Sequence, residues 1–172
     1  QPGDHAAVAI ICALEVMGTE LKDGDILVVA HKMISKCEGA VVNLADVVAS
    51  QDAIVLAKEV NKDPRKVEVI LSQSKRIVRS MKRPDQQEGV LIAEHKLGFI
   101  CANAAVDESN SDQVDQLITL PENPDKSAQL LCSRLEERFN CRLGVVMSDT
   151  FGRPWRLGKT NGGRGVANGP AI

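Results

Sequence analysis

Aromatic side chains are nearly absent from this 172-residue chain: one Trp, three Phe and no Tyr, 2% in all. Stacking platforms for bases need aromatic faces, so single-strand nucleic-acid binding is not expected. A basic excess is missing too. Lys and Arg number 21 against 23 Asp and Glu, a formal charge of -2, which leaves no electrostatic footprint for a phosphate backbone. No apolar run reaches the roughly 18 residues of a membrane-spanning helix, and no secretory signal opens the sequence. The five cysteines, Cys12, Cys37, Cys101, Cys132 and Cys141, are odd in number and none forms C-x-x-C. A reducing cytoplasm is therefore the expected compartment. The three histidines, His5, His31 and His95, are scattered. A zinc site is not expected, and His31 and His95 read as structural.

What is present is a sizeable apolar fraction, 44%, enough for a real core. The length suits one domain. The chain opens at Gln1 without Met and ends at Ile172 inside what reads as a continuing segment. One incomplete domain over 1–172 is expected. Asp4 can cap a helix over 5–17, whose apolar stripe is Ala6, Ala9, Ile10, Ala13, Leu14 and Met17. ILVVA reads as a buried strand and VVNL as a second. HKMISKCEGA between them reads as a solvated turn unless its lysines meet phosphate. SQDAIVLAKEV reads as a helix. Asp63-Pro64 supplies a cap and a first-turn proline for another. KRIVRSM and GVLIAEHK read as strands, Asn123-Pro124 starts a helix to about 140, and RLGVVM is the last clear strand.

That strand runs into SDTFGRPWRLGKT, which ends Gly-Lys-Thr like a P-loop. Here five residues rather than four separate Gly152 from Gly158. A phosphate cradle needs consecutive backbone N–H groups, and Pro154 has none to give. Two other readings stay open. One is a solvated basic loop carrying Arg153, Arg156 and Lys159, with Trp155 as a packing anchor. The other is a metal–phosphate site, with Asp149 and Thr150 at a strand's carboxyl end supplying oxygen ligands for Mg²⁺ or Mn²⁺. The arginines behind them would hold phosphate or carboxylate oxygens. Asp107, in ANAAVDESN, is a second carboxylate of the same kind. Lys32, Ser35 and Lys36 follow the first strand, where lysines serve phosphates as point charges. Cys37 lacks an evident paired histidine and reads as a small packing residue rather than a nucleophile.

The segments PGDHAA, GDILVVAHKMISKCEGAVV, DPRKVEVIL, GVLIAEHKLGFICANAAVDESN, LPENPDKSA and VVMSDTFGRPWRLGKTN cover most of 1–161. In this order they resemble the coenzyme F420-0:γ-glutamyl ligase family. ANAAVDESN and SDTFGRPWR are its long, specific motifs. The resemblance implies an α+β fold with mixed sheets, of the family's own kind and neither a P-loop nor a Rossmann fold. It implies a cytoplasmic, intertwined homodimer. It also implies a reaction: GTP as co-substrate and Mg²⁺ or Mn²⁺ as cofactor, with L-glutamate added through γ-linked amides to F420-0 by way of an acyl phosphate. Carried across, Asp107 and Asp149 are catalytic and, with Thr150, metal ligands. Ser35, Lys36 and Asn110 contact the nucleotide, and Arg153, Trp155 and Arg156 handle substrate or phosphate. The implied partners are small molecules, with no nucleic acid and no membrane.

The chain departs from the family pattern in four places. No strand and loop precede PGD, Ala40 stands where a basic residue is common, and the family's C-terminal part is absent. GGRGVANGPAI also replaces an apolar strand, and its glycines make a poor strand. Two alternatives follow: a paralogue that glutamylates another small acid, and a truncated inactive homologue serving as a binding or dimerisation module.

Overall fold

The computed structural model describes residues 4–82, 84, 86–108, 115–152 and 159–168. Its architecture is α+β with several small sheets, and the chain divides into two compact units, Gln1–Ala40 with Leu120–Ile172, and Val41–Thr119.

The first unit holds α1 (Asp4–Met17), β1 (Ile26–Ala30), α2 (His31–Cys37), α5 (Pro124–Phe139), β7 (Gly144–Gly152) and β8 (Lys159–Ala167). Its sheet has the order β1-β7-β8. β1 runs parallel to β7, with Ala30 opposite Ser148, and β8 runs antiparallel to β7. One face of this sheet carries the core: Val29, Val145, Met147 and Ala167 meet Ala128, Leu131, Cys132 and Leu135 of α5 and Ala6 and Ala7 of α1. The helix begins at the expected Asn123-Pro124, and Asn123 caps it by accepting from the Lys126 N–H.

Three expectations are corrected in this unit. HKMISKC is a helix, not a solvated turn: His31, Ile34 and Ser35 recur at helical spacing and are all buried. The GGRG segment is strand. β8 stays paired with β7 to Ala167, and Gly165 fits where a side chain does not. A Cβ on Gly165 would stand 2.6 Å from the Pro124 carbonyl carbon and closer still to its oxygen. Glycine here lets β8 pass against the first turn of α5. The α1 stripe is also shifted. Ala7 and Ile11 join Ala6, Ile10 and Leu14 on the inner side, while Ala9, Ala13 and Met17 are exposed.

The second unit holds β2 (Val41–Asn43), α3 (Gln51–Val60), α4 (Pro64–Gln73), β3 (Ser74–Met81), β4 (Val90–His95), β5 (Ile100–Ala102) and β6 (Gln116–Ile118). β3, β4 and β5 form an antiparallel sheet in that order, and β2 pairs antiparallel with β6. Both helices start where the sequence placed them. Ser50 Oγ accepts from the Ala53 N–H, and Asp63 accepts from the Arg65 N–H ahead of Pro64. Asn61, in the left-handed conformation that asparagine tolerates, ends α3. Ala53, Ala57 and Val60 then pack with Val67, Ile70, Leu91 and Ala93. β6 was not foreseen; three residues are too few for a periodic signal.

Candidate functional site

Parallel pairing sets the carboxyl end of β1 beside β7, which itself runs on to Gly152, so Asp149 lies within a strand paired to β8 and not at a strand end as expected. β1 ends at Ala30 and α2 begins at once with His31, while the paired strand passes Ser148 into Asp149. Ligands of open sheets collect at such a carboxyl end. Asp149 shares the strand face of Val145 and Met147, so its carboxylate is mostly buried, 13% exposed.

Two nitrogens face that carboxylate. His31 Nε2 lies 3.3 Å from Asp149 Oδ1, and Arg164 Nη2 lies 3.4 Å from Oδ2. The first spacing is short enough for an ion pair but outside hydrogen-bond alignment: His31 Nε2 is buried with no hydrogen-bond partner among the described residues. The other ring nitrogen, Nδ1, stands 3.5 Å from Ser35 Oγ one helical turn later. Ser35 is fully buried, and His31 is 2% exposed. Ser35, His31, Asp149 and Arg164 thus form one continuous chain of polar contacts.

Arg164 enters it through a β-bulge. Partners run Met147–Gly165 and then Ser148–Gly163, so Arg164 is the extra residue of β8. A bulge re-aims the side chain it carries. Sequence reasoning assigned no chemical role to His31 or Arg164. The available signals were a histidine directly after a buried strand and an arginine between glycines, which in a strand mark a bulge.

Lys36 sits half-buried in the last turn of α2, beside Ser35. Cys37 packs against the core; burial, aided by Glu38, pushes its thiol pKa up. That opposes thiolate formation and fits a packing residue. Gly152 and Lys159 are partners at the ends of β7 and β8. Lys159 and Thr160 therefore open a strand, whereas a P-loop lysine opens a helix. Arg153, Trp155 and Arg156, and the side chain of Thr150, lie outside the described residues, as does Asn110.

Asp107 belongs to the second unit. Its backbone makes both hydrogen bonds of an antiparallel bridge with Ile118, 2.9 Å from Asp107 N to Ile118 O and 2.8 Å in return. A left-handed turn leads into it: Asn103, Ala104 and Ala105 have φ of 49°, 50° and 56°. Non-glycine residues adopt this conformation only when their surroundings hold them there. Asn103 Oδ1 accepts from the Leu91 N–H at 3.1 Å, and Ala104 is buried in the core that β4 and α4 help form. Asp107 is therefore presented from a fixed backbone, half-buried.

Among the described residues no three His, Cys, Asp or Glu side chains cluster as a metal cage. No helix among them is long and apolar enough to cross a membrane.

Comparison with known proteins agrees with this layout of motifs. The family model described as F420-0:gamma-glutamyl ligase matches residues 1–171. The coenzyme F420:L-glutamate ligase of Methanothermobacter thermautotrophicus is 42% identical over 166 residues, covering 96% of this chain and 63% of the relative. The protein of the same name from Methanopyrus kandleri is 41% identical over 172 residues, covering all of this chain and 64% of the relative. That from Methanocaldococcus jannaschii is 42% identical over 147 residues, covering 86% and 56%. The chain thus spans just under two thirds of the length of the first two. With a family model matched from end to end, the chain belongs to the F420-0:γ-glutamyl ligase family.

Proposed function

We propose that the protein is a GTP- and divalent-metal-dependent amide ligase that joins L-glutamate to coenzyme F420-0 through γ-linked amides. The observation that carries this reading is the buried Asp149 carboxylate beside the carboxyl end of β1, within a family match over the whole chain.

The site residues fit a divalent cation. Asp149 offers Oδ1 on the side of the His31 imidazole, while the Arg164 guanidinium at Oδ2 balances the carboxylate until a metal ion does. Asp149 would hold the metal with Asp107 and Thr150, the ligands that the family resemblance implies. A bound Mg²⁺ or Mn²⁺ supplies neutralisation of phosphate charge during transfer. In that transfer the γ-phosphoryl group of GTP passes to a carboxylate oxygen of the acceptor, releasing GDP. The glutamate amine then attacks the acyl carbon and phosphate leaves, so one amide forms for each GTP consumed. Lys36 and Asn110 are suited to the nucleotide, Lys36 as a point charge. Ser35 belongs with them by resemblance, although its hydroxyl faces His31. Arg153, Trp155 and Arg156 are assigned to phosphate or substrate carboxylate. The working unit is a homodimer in this reading, and its compartment the cytoplasm.

Incubating the whole protein with GTP, L-glutamate and F420-0 tests the reading. The expected product is F420-0 heavier by one or more glutamyl residues. GTP consumption with another small acid but not with F420-0 would favour a paralogous ligase. An absence of GTP binding would favour a binding or dimerisation module.

A further inference from the structure

We propose that Lys66 is a positioning residue: by holding Glu108 to α4, it fixes the segment from which the adjoining Asp107 meets the metal ion. The inference rests on the reading of Asp107 as a metal ligand and names a residue that serves it from outside the ligand set.

Its starting point is a run of alternating charges within the second unit. Lys62 Nζ lies 2.8 Å from Glu88 Oε2, Lys66 Nζ lies 3.5 Å from Glu88 Oε1, and the same Nζ lies 2.7 Å from Glu108 Oε2. The two lysine side chains are 6% and 20% exposed. An isolated, fully exposed ion pair restrains little, whereas a network built on partly buried lysines restrains more. Burial disfavours the Lys66 ammonium, yet its hydrogen bond to Glu108 and the charges of Glu108 and Glu88 outweigh that and push its pKa up. The pairing therefore more than replaces the water that Lys66 has lost.

The backbone fixes the members of this network. Asn61 Nδ2 donates to the Gln87 carbonyl at 2.7 Å, and the Gly89 N–H donates to the Val60 carbonyl at 2.6 Å, so Glu88 is clamped from both sides. Lys66 stands in the first turn of α4, behind the Asp63 cap and Pro64. Glu108 directly follows Asp107, whose backbone bridges to Ile118 after the left-handed turn at 103–105. Three such residues in a row are strained, and the segment they lead into keeps its place only while its surroundings hold it. The bridge with Ile118 sets the register of Asp107 but leaves rotation about the chain axis. Its extended backbone sends adjacent side chains to opposite sides. Holding Glu108 to α4 therefore also limits how the Asp107 carboxylate can turn.

Titration of the whole protein with Mn²⁺ separates positioning from simple charge. Without the Lys66 ammonium, the nearby Glu108 carboxylate is less compensated, which through space would tighten cation binding. A loosened Asp107 would weaken it. Lys66→Met should therefore weaken Mn²⁺ binding by about ten-fold, and Lys66→Arg should restore most of the loss. In glutamate transfer to F420-0, the Mn²⁺ concentration giving half-maximal rate should rise by a similar factor, with kcat at saturating Mn²⁺ close to the wild-type value. Melting temperature checks folding, and Lys66→Gln, expected to act in the same direction, replaces Lys66→Met if that variant does not fold. Unchanged or tighter Mn²⁺ binding by the folded variant, while Asp107→Asn binds weakly, overturns the inference and leaves Asp107 as a metal ligand. Undiminished binding by Asp107→Asn overturns both.

Discussion

Arg164 reaches Asp149 only because β8 carries one residue more than β7 between Met147 and Ser148. The pair is largely buried, with the two side chains 6% and 13% exposed. The guanidinium balances the carboxylate when no other cation does, and it opposes one that arrives. Arg164→Met, which keeps the length and removes the charge, should raise Mn²⁺ affinity by roughly ten-fold. Calorimetric titration reads this directly. Weaker binding would instead mean that Arg164 holds the carboxylate in position for the ion.

The glycines of β8 should differ sharply in what they tolerate. A Cβ at Gly165 meets the Pro124 carbonyl, whereas one at Gly163 meets only Val146 Cγ1 at 3.7 Å. Gly165→Ala should therefore destabilise by about 1–3 kcal/mol, and Gly163→Ala by far less. Denaturant unfolding of the two variants makes the comparison. Equal costs would show that close packing against α5 is not what requires glycine.

Much of the helical structure was legible because its signals are local. Ser50, Asp63-Pro64 and Asn123-Pro124 are caps that act within one turn, and α3, α4 and α5 begin there. α2 has no such mark: Ala30 makes no side-chain cap, and seven residues are too few for periodicity to speak. β8 was hidden by its glycines, of which Gly165 has a tertiary purpose. The site divides in the same way. Asp149 was singled out by its motif, although it lies within β7 and not at a strand end. His31 and Arg164 gained their places from long-range pairing, the parallel register of β1 with β7 and a bulge in β8. No local pattern encodes either one fully.

The turn before Asp107 depends on Asn103. Its side chain accepts the buried Leu91 N–H, and asparagine suits a φ of 49°. Asn103→Ala removes both contributions and should cost about 1–3 kcal/mol. Thermal or denaturant unfolding measures the loss. An unchanged stability would show that the left-handed turn is held by packing alone.

Acid should weaken the second unit through its carboxylates. A hydrogen bond from Lys62 holds Glu88 below its ordinary value of 4.5, and one from Ser50 does the same for Glu68. A hydrogen bond from Arg65 lowers Asp63 from 3.8, and one from Arg76 lowers Glu94 from 4.5. Each group titrates lower folded than unfolded. Its stabilisation is complete above the unfolded value and is lost as pH falls through the folded one. Melting temperature should thus drop below about pH 4, and Glu88→Gln should reduce that dependence. A melting curve that ignores pH between 5 and 3 would contradict these pairings.

The central claim is that Asp149, in β7 beside the carboxyl end of β1, holds the metal that brings the nucleotide to this protein. Titration of the wild type and Asp149→Asn with GTP in the presence of Mn²⁺ tests it most directly. The account predicts saturable, metal-dependent GTP binding by the wild type and its loss in Asp149→Asn, with melting temperature confirming that the variant is folded. Undiminished binding by a folded Asp149→Asn protein would contradict it.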